Sequence, residues 1–175
     1  MSKNIYVLIG PSGSGKNSLG LTLEEHGFIR LITSTTRKKR MGEEEGVSYY
    51  FLTPEAFKNM EKIEETYYAG NFYGLSKQEV DQKLCCEKPI YIIMDQPGYK
   101  RLKAIYGDQV KSIFITINPD NMRQRLIKRG DDQEEIDKRI NQMIETKEHL
   151  MPDADFTIIN DDFEKAKKAL LDIVL

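Results

Sequence analysis

The chain has 175 residues, of which 26 are basic, 28 acidic and 39% hydrophobic, and its formal net charge is −2. This size suits one domain, or a core with inserted lobes, and the balanced charge favours neither nucleic acid nor a membrane as a partner. The N-terminus has no signal-like leader, no apolar run is long enough to span a membrane, and the only cysteines are the adjacent Cys85 and Cys86. We therefore expect a cytoplasmic protein that is a monomer or a homodimer.

Apolar runs alternate with amphipathic stretches along the chain, which indicates a parallel α/β sheet. The predicted buried strands are Ile5–Ile9, Ile90–Met94, Ser112–Ile117 and Phe156–Ile159. The predicted helices run from about Lys16 to His26, from near Pro119, from about Gln133 to Leu150, and from about Phe163. The apolar stripes of these helices are interpreted as core.

A phosphate-binding loop follows the first predicted strand. Gly10 and the pair Gly15-Lys16 have the G-x-x-x-x-G-K spacing of a P-loop. Glycines let the backbone N–H groups face a phosphate, the following helix adds partial positive charge, and Lys16 can reach the terminal phosphates. The candidate binding residues of this loop are Gly10, Ser12, Gly13, Ser14, Gly15, Lys16, Asn17 and Ser18.

Two regions interrupt the alternation of strands and helices. Residues 33–88 lack long apolar strands, which predicts a small lobe inserted into a core formed by residues 1–32 and 89–175. The segment Arg123–Gln133 carries four basic residues before Gly130 and then Asp131-Asp132. We interpret it as a polar flap, or lid, at about residues 123–135.

The inserted segment contains a second candidate phosphate site. Arg37 and Arg40 are three residues apart and are followed by Tyr49. Arginine can bind a phosphate through two parallel N–H groups, and a tyrosine hydroxyl adds a neutral donor. Taken alone, the run Arg37-Lys-Lys-Arg40 would favour a solvated basic loop, so the assignment depends on the P-loop and on the surrounding motif.

That surrounding motif, TSTTRKKRMGEEEGVSYYF at residues 33–51, resembles the acceptor lobe of the guanylate kinase family. Asn71-Phe-Tyr-Gly74, Arg139 and the segment DFTIINDD at residues 155–162 are also similar to family motifs, in the family's order. The resemblance implies a P-loop NTPase fold, a three-layer sandwich with a parallel sheet core, an inserted acceptor-nucleotide lobe and a short lid. It also implies Mg²⁺-dependent phosphorylation of GMP by ATP.

The resemblance assigns roles to residues of the acceptor lobe. Arg37, Arg40, Tyr49 and Tyr73 are implied to hold the GMP phosphate, and Glu43 either orients one of the arginines or lies at the surface. Glu64 and Asp95 are implied to lie near the guanine donors, and Thr33 near its O6 acceptor; the guanine edge itself calls for carboxylates. Asp95 also ends an apolar strand, so it can serve the Mg²⁺ shell instead of, or as well as, the base.

The remaining assignments concern the lid and the donor nucleotide. Arg125 and Arg129 lie four residues apart, on one helical face, and can move onto the triphosphate; Arg139 is added by resemblance. With Lys16 and Arg37 they form the predicted catalytic set. Asn160 is implied to lie by the ATP base, although a turn role is equally consistent with the sequence.

Three residues depart from the family pattern. Asn17 replaces the Ser or Thr that usually binds Mg²⁺ in a P-loop, which predicts weaker metal binding rather than none. Leu75 replaces a residue whose hydroxyl is implied to contact guanine, at a cost of roughly 0.5–1.5 kcal/mol for one neutral hydrogen bond. Pro97 stands where the family prefers a polar residue.

These departures keep two alternatives open. One is a related phosphokinase acting on an acceptor such as ribose 1,5-bisphosphate, which would not need the set Arg37, Arg40 and Tyr49. The other is a non-catalytic binding module, which would have no use for Lys16 or the lid arginines.

Overall fold

A computed structural model describes residues 4–145, 147 and 150–175. The strands are β1 (Ile5–Ile9), β2 (Ile29–Arg30), β3 (Ser34–Thr35), β4 (Tyr50–Phe51), β5 (Lys62–Tyr68), β6 (Asn71–Ser76), β7 (Ile90–Ile93), β8 (Val110–Thr116) and β9 (Phe156–Ile159). The helices are α1 (Lys16–Glu25), α2 (Pro54–Asn59), α3 (Lys77–Leu84), α4 (Gln96–Tyr106), α5 (Pro119–Arg129), α6 (Gln133–Glu145) and α7 (Phe163–Val174). No helix in the described ranges is long and apolar enough to cross a membrane.

The core is a five-stranded parallel sheet in the order β2-β7-β1-β8-β9. All five residues of β1 are buried, because side chains that alternate along the strand enter two different apolar clusters. One cluster packs α1 and α7 against the sheet, and the other packs α4 against its opposite face. The predicted three-layer α/β sandwich is therefore confirmed.

The four predicted strands and three of the four predicted helices are confirmed, with boundaries within two residues of the prediction. The prediction that the helix from Gln133 continues to Leu150 is wrong, because α6 ends at Glu145. Lys147 has φ +54°, in the left-handed region, which a right-handed helix of L-residues does not contain. Residues 146, 148 and 149 lie outside the described residues.

A second sheet, in the order β4-β3-β6-β5, lies within the segment predicted to be an inserted lobe. Its longest strands, β5 and β6, form an antiparallel hairpin that turns at Ala69 and Gly70, both with positive φ. The lobe joins the core through apolar packing, since Ile63, Leu75 and Val80 belong to the same buried cluster as Leu102 of α4.

Helix α4, which the sequence analysis did not predict, begins directly after β7. Asp95 is its N-cap, with Oδ1 accepting a hydrogen bond from Gly98 N at 2.8 Å, and Pro97 lies in its first turn. Because β1 lies between β7 and β8, and ligands of such sheets bind beyond the carboxyl ends of the strands, Asp95 and the loop after β1 reach the same crevice.

The burial of Leu75 generates a stability prediction. Leu75 is fully buried between lobe and core, so Leu75→Ala should lower the free energy of unfolding by about 2–5 kcal/mol. Leu21→Ala is a matched control, because Leu21 is 59% exposed on α1 and should change stability by no more than about 0.5 kcal/mol. Urea denaturation measures both; equal effects would contradict the structural role of Leu75.

Candidate active site

The loop from Gly10 to Gly15 joins β1 to α1 and has two positions where only glycine fits. A Cβ on Gly10 would lie 2.0 Å from the carbonyl oxygen of Ile115 on β8, and one on Gly15 would lie 2.2 Å from Nδ2 of Asn160. Gly15 also has φ +93°, which is the left-handed region. The loop is thus pressed closely against the sheet, and its glycine spacing follows from this contact.

The front of the loop presents cationic and polar groups. Lys16 Nζ donates hydrogen bonds to the carbonyl oxygens of Gly10 and Pro11, both at 2.7 Å. Ser12, Asn17 and Ser18 are exposed at the loop and in the first turn of α1, whereas Ser14 is buried. The N-terminus of α1 and the backbone N–H groups of a P-loop together form an anion site.

Asn160, at the end of β9, holds the loop from the other side. Its side chain is 1% exposed, and Nδ2 donates a hydrogen bond to Ser14 O at 2.7 Å. Arg125 of α5 donates through Nη2 to Asn160 O at 2.6 Å and to Asp161 O at 3.2 Å. The structure therefore brings Asn160 and Arg125 to the P-loop. The side chain of Asn160 binds the backbone of this loop, at the carbonyl oxygen of Ser14.

Arg37 is held by Glu43 within the inserted lobe. Nη1 and Nη2 of Arg37 donate to the two carboxylate oxygens of Glu43 at 3.0 and 2.5 Å, and Arg40 N donates to the same carboxylate at 2.8 Å. These hydrogen bonds, that from Arg37 above all, lower the pKa of Glu43 to about 2. The carboxylate is therefore ionised at neutral pH, and it fixes one edge of the Arg37 guanidinium.

Aromatic rings surround Arg37. Its guanidinium carbon lies 5.5 Å from the ring centroid of Tyr49 and 5.9 Å from that of Phe51. The rings of Tyr49 and Tyr73 meet edge to face at 5.9 Å. Arg37, Tyr49 and Tyr73 are thus gathered in one place, while Arg40 is exposed on the adjoining loop.

A pair of carboxylates lies between the lobe and the core. Burial, and next the negative charge of Asp95, raise the pKa of Glu64 above its usual value. Thr33, at the start of the lobe, is half-buried, and its carbonyl oxygen accepts a hydrogen bond from Tyr50 N. Leu75, in contrast, is fully buried in the core cluster and has no exposed surface to offer a base.

A cavity of about 670 Å³ opens in front of the P-loop. Its lining combines Gly10, Pro11 and Ser12 of the loop with Asp95 and Pro97 of the α4 N-terminus. Asp95 therefore faces the P-loop cavity and also acts electrostatically on Glu64, so it connects the two parts of the site.

Two of the predicted catalytic arginines, Arg129 and Arg139, contact an acidic side chain. Arg129 Nε donates to Asp131 Oδ1 at 2.6 Å, and Arg139 Nη1 donates to Asp131 Oδ2 at 3.3 Å. The hydrogen bond from Arg129 lowers the pKa of Asp131. Arg129 and Arg139 thus converge on one carboxylate, whereas Arg125 of the same predicted set contacts the carbonyl groups after β9.

The sequence analysis assigned no role to Asp131 or to Lys147. Gly130, with φ +88°, ends α5 and turns Asp131 back towards Arg129. The sequence feature that could have predicted this contact is an acidic residue directly after the glycine that ends a helix. Lys147 lines the P-loop cavity together with Leu150. The hydrophobic periodicity of α6 does not predict this position of Lys147, because the residue follows the end of the helix.

Comparisons with known proteins match the chain to one family. A family model described as guanylate kinase matches residues 2–175. Guanylate kinase from Wolinella succinogenes is 38% identical, covering 97% of this chain and 82% of that relative. The enzyme of the same name from Helicobacter hepaticus is 38% identical, covering 99% and 90%. The crystal structure of guanylate kinase from Anaplasma phagocytophilum matches with a TM-score of 0.67 and 26% identity, over 99% of this chain and 86% of that one.

Proposed function

The chain belongs to the guanylate kinase family, whose members phosphorylate GMP with ATP, and we propose that it performs this reaction between its P-loop and its inserted lobe. One observation supports the proposal above the others. Asp95 lines the cavity in front of the P-loop and also interacts with Glu64 of the lobe. A triphosphate in the loop and a nucleotide whose base lies beside Glu64 would therefore occupy adjoining sites on either side of Asp95.

The P-loop holds the triphosphate of ATP in this proposal. Backbone N–H groups from Gly10 to Lys16 and the N-terminus of α1 bind the phosphates. Lys16 exchanges the carbonyl oxygens of Gly10 and Pro11 for phosphate oxygens. Ser12, Asn17 and Ser18 add polar groups at the exposed side of the loop.

The lobe holds GMP by its phosphate and its base. Arg37, Arg40, Tyr49 and Tyr73 bind the phosphate, and Glu43 orients Arg37 through the two hydrogen bonds between their side chains. Glu64 and Asp95 accept the guanine N1–H and amino donors, and Thr33 serves O6.

Phosphoryl transfer then needs positioning and charge neutralisation rather than a general base, because the attacking phosphate oxygen of GMP is already anionic. Lid closure brings Arg125, Arg129 and Arg139 towards the transferring group. The contacts of Arg129 and Arg139 with Asp131 are then replaced in part by contacts with phosphate.

Mg²⁺ is the proposed cofactor, bound together with ATP. The described residues contain no group of three or more His, Cys, Asp or Glu side chains that could hold a metal by themselves. Kinase Mg²⁺ instead takes one or two protein ligands and completes its shell with phosphates and water. Asn17 in the first turn of α1 and Asp95 beside Gly10 fit that shared arrangement. Bound there, the ion would neutralise phosphate charge.

The test of this function is ADP release from ATP and Mg²⁺ with GMP, AMP, UMP, CMP and ribose 1,5-bisphosphate offered separately. Turnover with GMP alone is expected. Turnover with a different acceptor would move the chain to another phosphokinase activity. Nucleotide binding without any turnover would favour a non-catalytic binding module. Neither alternative is favoured by the family match or by the presence of Lys16 and the lid arginines.

Arg37→Ala should reduce kcat/KM for GMP by about 10³-fold, since arginines that bind the transferring or accepting phosphate contribute on that order. Lys39→Ala is the matched control, because Lys39 is an exposed cation of the same loop and should leave the rate near normal. Steady-state kinetics at varied GMP measure both. A near-normal rate for Arg37→Ala would contradict the assigned role.

The raised pKa of Glu64 predicts how GMP binding changes with pH. Only the ionised carboxylate accepts both guanine donors, so KM for GMP should rise on acidification at a higher pH than for an ordinary glutamate. Glu64→Gln should raise KM for GMP by roughly 10–100-fold, because a hydrogen bond to a charged group contributes about 1.5–3 kcal/mol to binding. Dividing the KM of Glu64→Gln by the KM of the wild type cancels the ionisation of GMP itself. This ratio should shrink as the pH falls, because the wild type loses its carboxylate. A ratio that stays constant with pH would contradict the prediction.

Asn17→Ser restores the hydroxyl that usually binds Mg²⁺ in a P-loop, so the Mg²⁺ concentration at half-maximal rate should fall. Calorimetric titration of ATP gives a second measurement: affinity should rise with Mg²⁺ present and stay the same in EDTA. An unchanged Mg²⁺ titration would mean that Asn17 is not near the ion.

A further inference from the structure

Two polar side-chain atoms are buried without a hydrogen-bond partner in the part of the chain that the structure describes, and both lie at the P-loop. They are Ser14 Oγ and Asn160 Oδ1. The other polar atom of the Asn160 side chain, Nδ2, donates to Ser14 O at 2.7 Å. We infer that Asn160 is a positioning residue, which orients the Ser14–Gly15 peptide so that the Gly15 N–H binds the ATP triphosphate. This inference rests on the proposed function.

The geometry of the Ser14–Gly15 peptide group sets the direction of the Gly15 N–H. A trans peptide is planar, so its C=O and N–H bonds point in opposite directions. Because the Ser14 C=O points at Asn160, the Gly15 N–H points away from Asn160, on the opposite side of the peptide. A peptide that rotated at this position would present a carbonyl oxygen to the phosphates, which repels them.

Gly15 and the side chain of Asn160 are in close contact. The amide nitrogen of Asn160 lies where a side chain of Gly15 would begin, since an added Cβ would be 2.2 Å from it. Gly15 is therefore required by Asn160 as well as by its own φ of +93°. The two residues form one unit although they are far apart in the sequence.

Asn160 is itself held in place by its backbone. Asn160 N donates to Thr116 O of β8 at 2.8 Å, and Arg125 Nη2 donates to Asn160 O at 2.6 Å. The next residue, Asp161, accepts from Asn118 N at 2.9 Å through Oδ1. The amide that orients the P-loop is thus fixed by β8 and by α5, the helix that carries Arg125 and Arg129.

Packing alone does not explain this choice of residue. An apolar side chain would avoid the unpaired Oδ1 of Asn160, but it would leave the buried carbonyl oxygen of Ser14 without this donor. The retained amide supplies a donor to a loop carbonyl, which an apolar residue lacks. Contact with the ATP base is the competing role, but the side chain is 1% exposed and its donor is already engaged.

Inorganic tripolyphosphate separates these roles, because it has the phosphates of ATP and no base. Calorimetry should compare the wild type with Asn160→Ala and Asn160→Leu, neither of which has a side-chain donor for Ser14 O. We expect the affinities for tripolyphosphate and for ATP to fall by the same factor, about tenfold or more, with GMP affinity unchanged. Loss of ATP affinity with tripolyphosphate affinity unchanged would overturn the inference in favour of a base contact.

Controls separate a local effect from general damage. Glu164→Gln changes an exposed side chain of α7 and should leave tripolyphosphate affinity near that of the wild type. A lowered melting temperature of the Asn160 variants with unchanged affinities would overturn the inference, since the residue would then be only structural. Lys16→Ala tests the proposed function separately: if it does not weaken tripolyphosphate binding, the P-loop is not the donor site.

The wild type provides a second measurement if neither Asn160 variant folds. In ¹⁵N-labelled protein, the Gly15 amide proton should shift strongly downfield when tripolyphosphate is added, and the Asn160 side-chain amide should exchange slowly with solvent. An unshifted Gly15 signal, or a rapidly exchanging Asn160 amide, would overturn the inference.

Discussion

The site depends on one constraint, the close contact between the P-loop and the sheet behind it. Gly10 approaches a carbonyl oxygen of β8, and Gly15 approaches the side chain of Asn160 after β9, so that neither position has room for a Cβ. Strand β1, which delivers the loop, is buried on both faces between the two core clusters. The loop is therefore held against the sheet by contacts within the protein.

The cations of the candidate site are paired with acceptors within the protein. Arg37 contacts Glu43, Arg129 and Arg139 contact Asp131, and Lys16 contacts loop carbonyl oxygens. Phosphate binding would exchange the partners of Lys16, Arg129 and Arg139 for phosphate oxygens, in full or in part, whereas Glu43 would stay bound to Arg37. Such an exchange avoids burying an unpaired charge, which is costly, and it leaves each side chain close to the position in which it would act.

The sequence predicted the features that depend on local pattern. The P-loop followed from glycine and lysine spacing, and the buried strands followed from apolar runs such as Ile5–Ile9. The roles of Glu64 and Tyr73 came from resemblance, since no periodicity distinguishes a carboxylate near a base from an exposed one. The end of α6, the burial of Leu75 and the direction of the Asn160 amide were not predictable, because each is decided by contacts between distant parts of the chain. Two-residue strands such as β3 are too short to show a pattern.

The central claim is that a donor and an acceptor nucleotide occupy adjoining sites around one cavity, with guanine selected on the acceptor side. The most direct measurement is inhibition by adenosine and guanosine joined through five phosphates, compared with the diadenosine compound. The account predicts competition with both ATP and GMP, and affinity higher than that of either nucleotide by about 10²-fold or more, because the second contact is intramolecular. Competition with only one substrate, or equal affinity for the diadenosine compound, would contradict it.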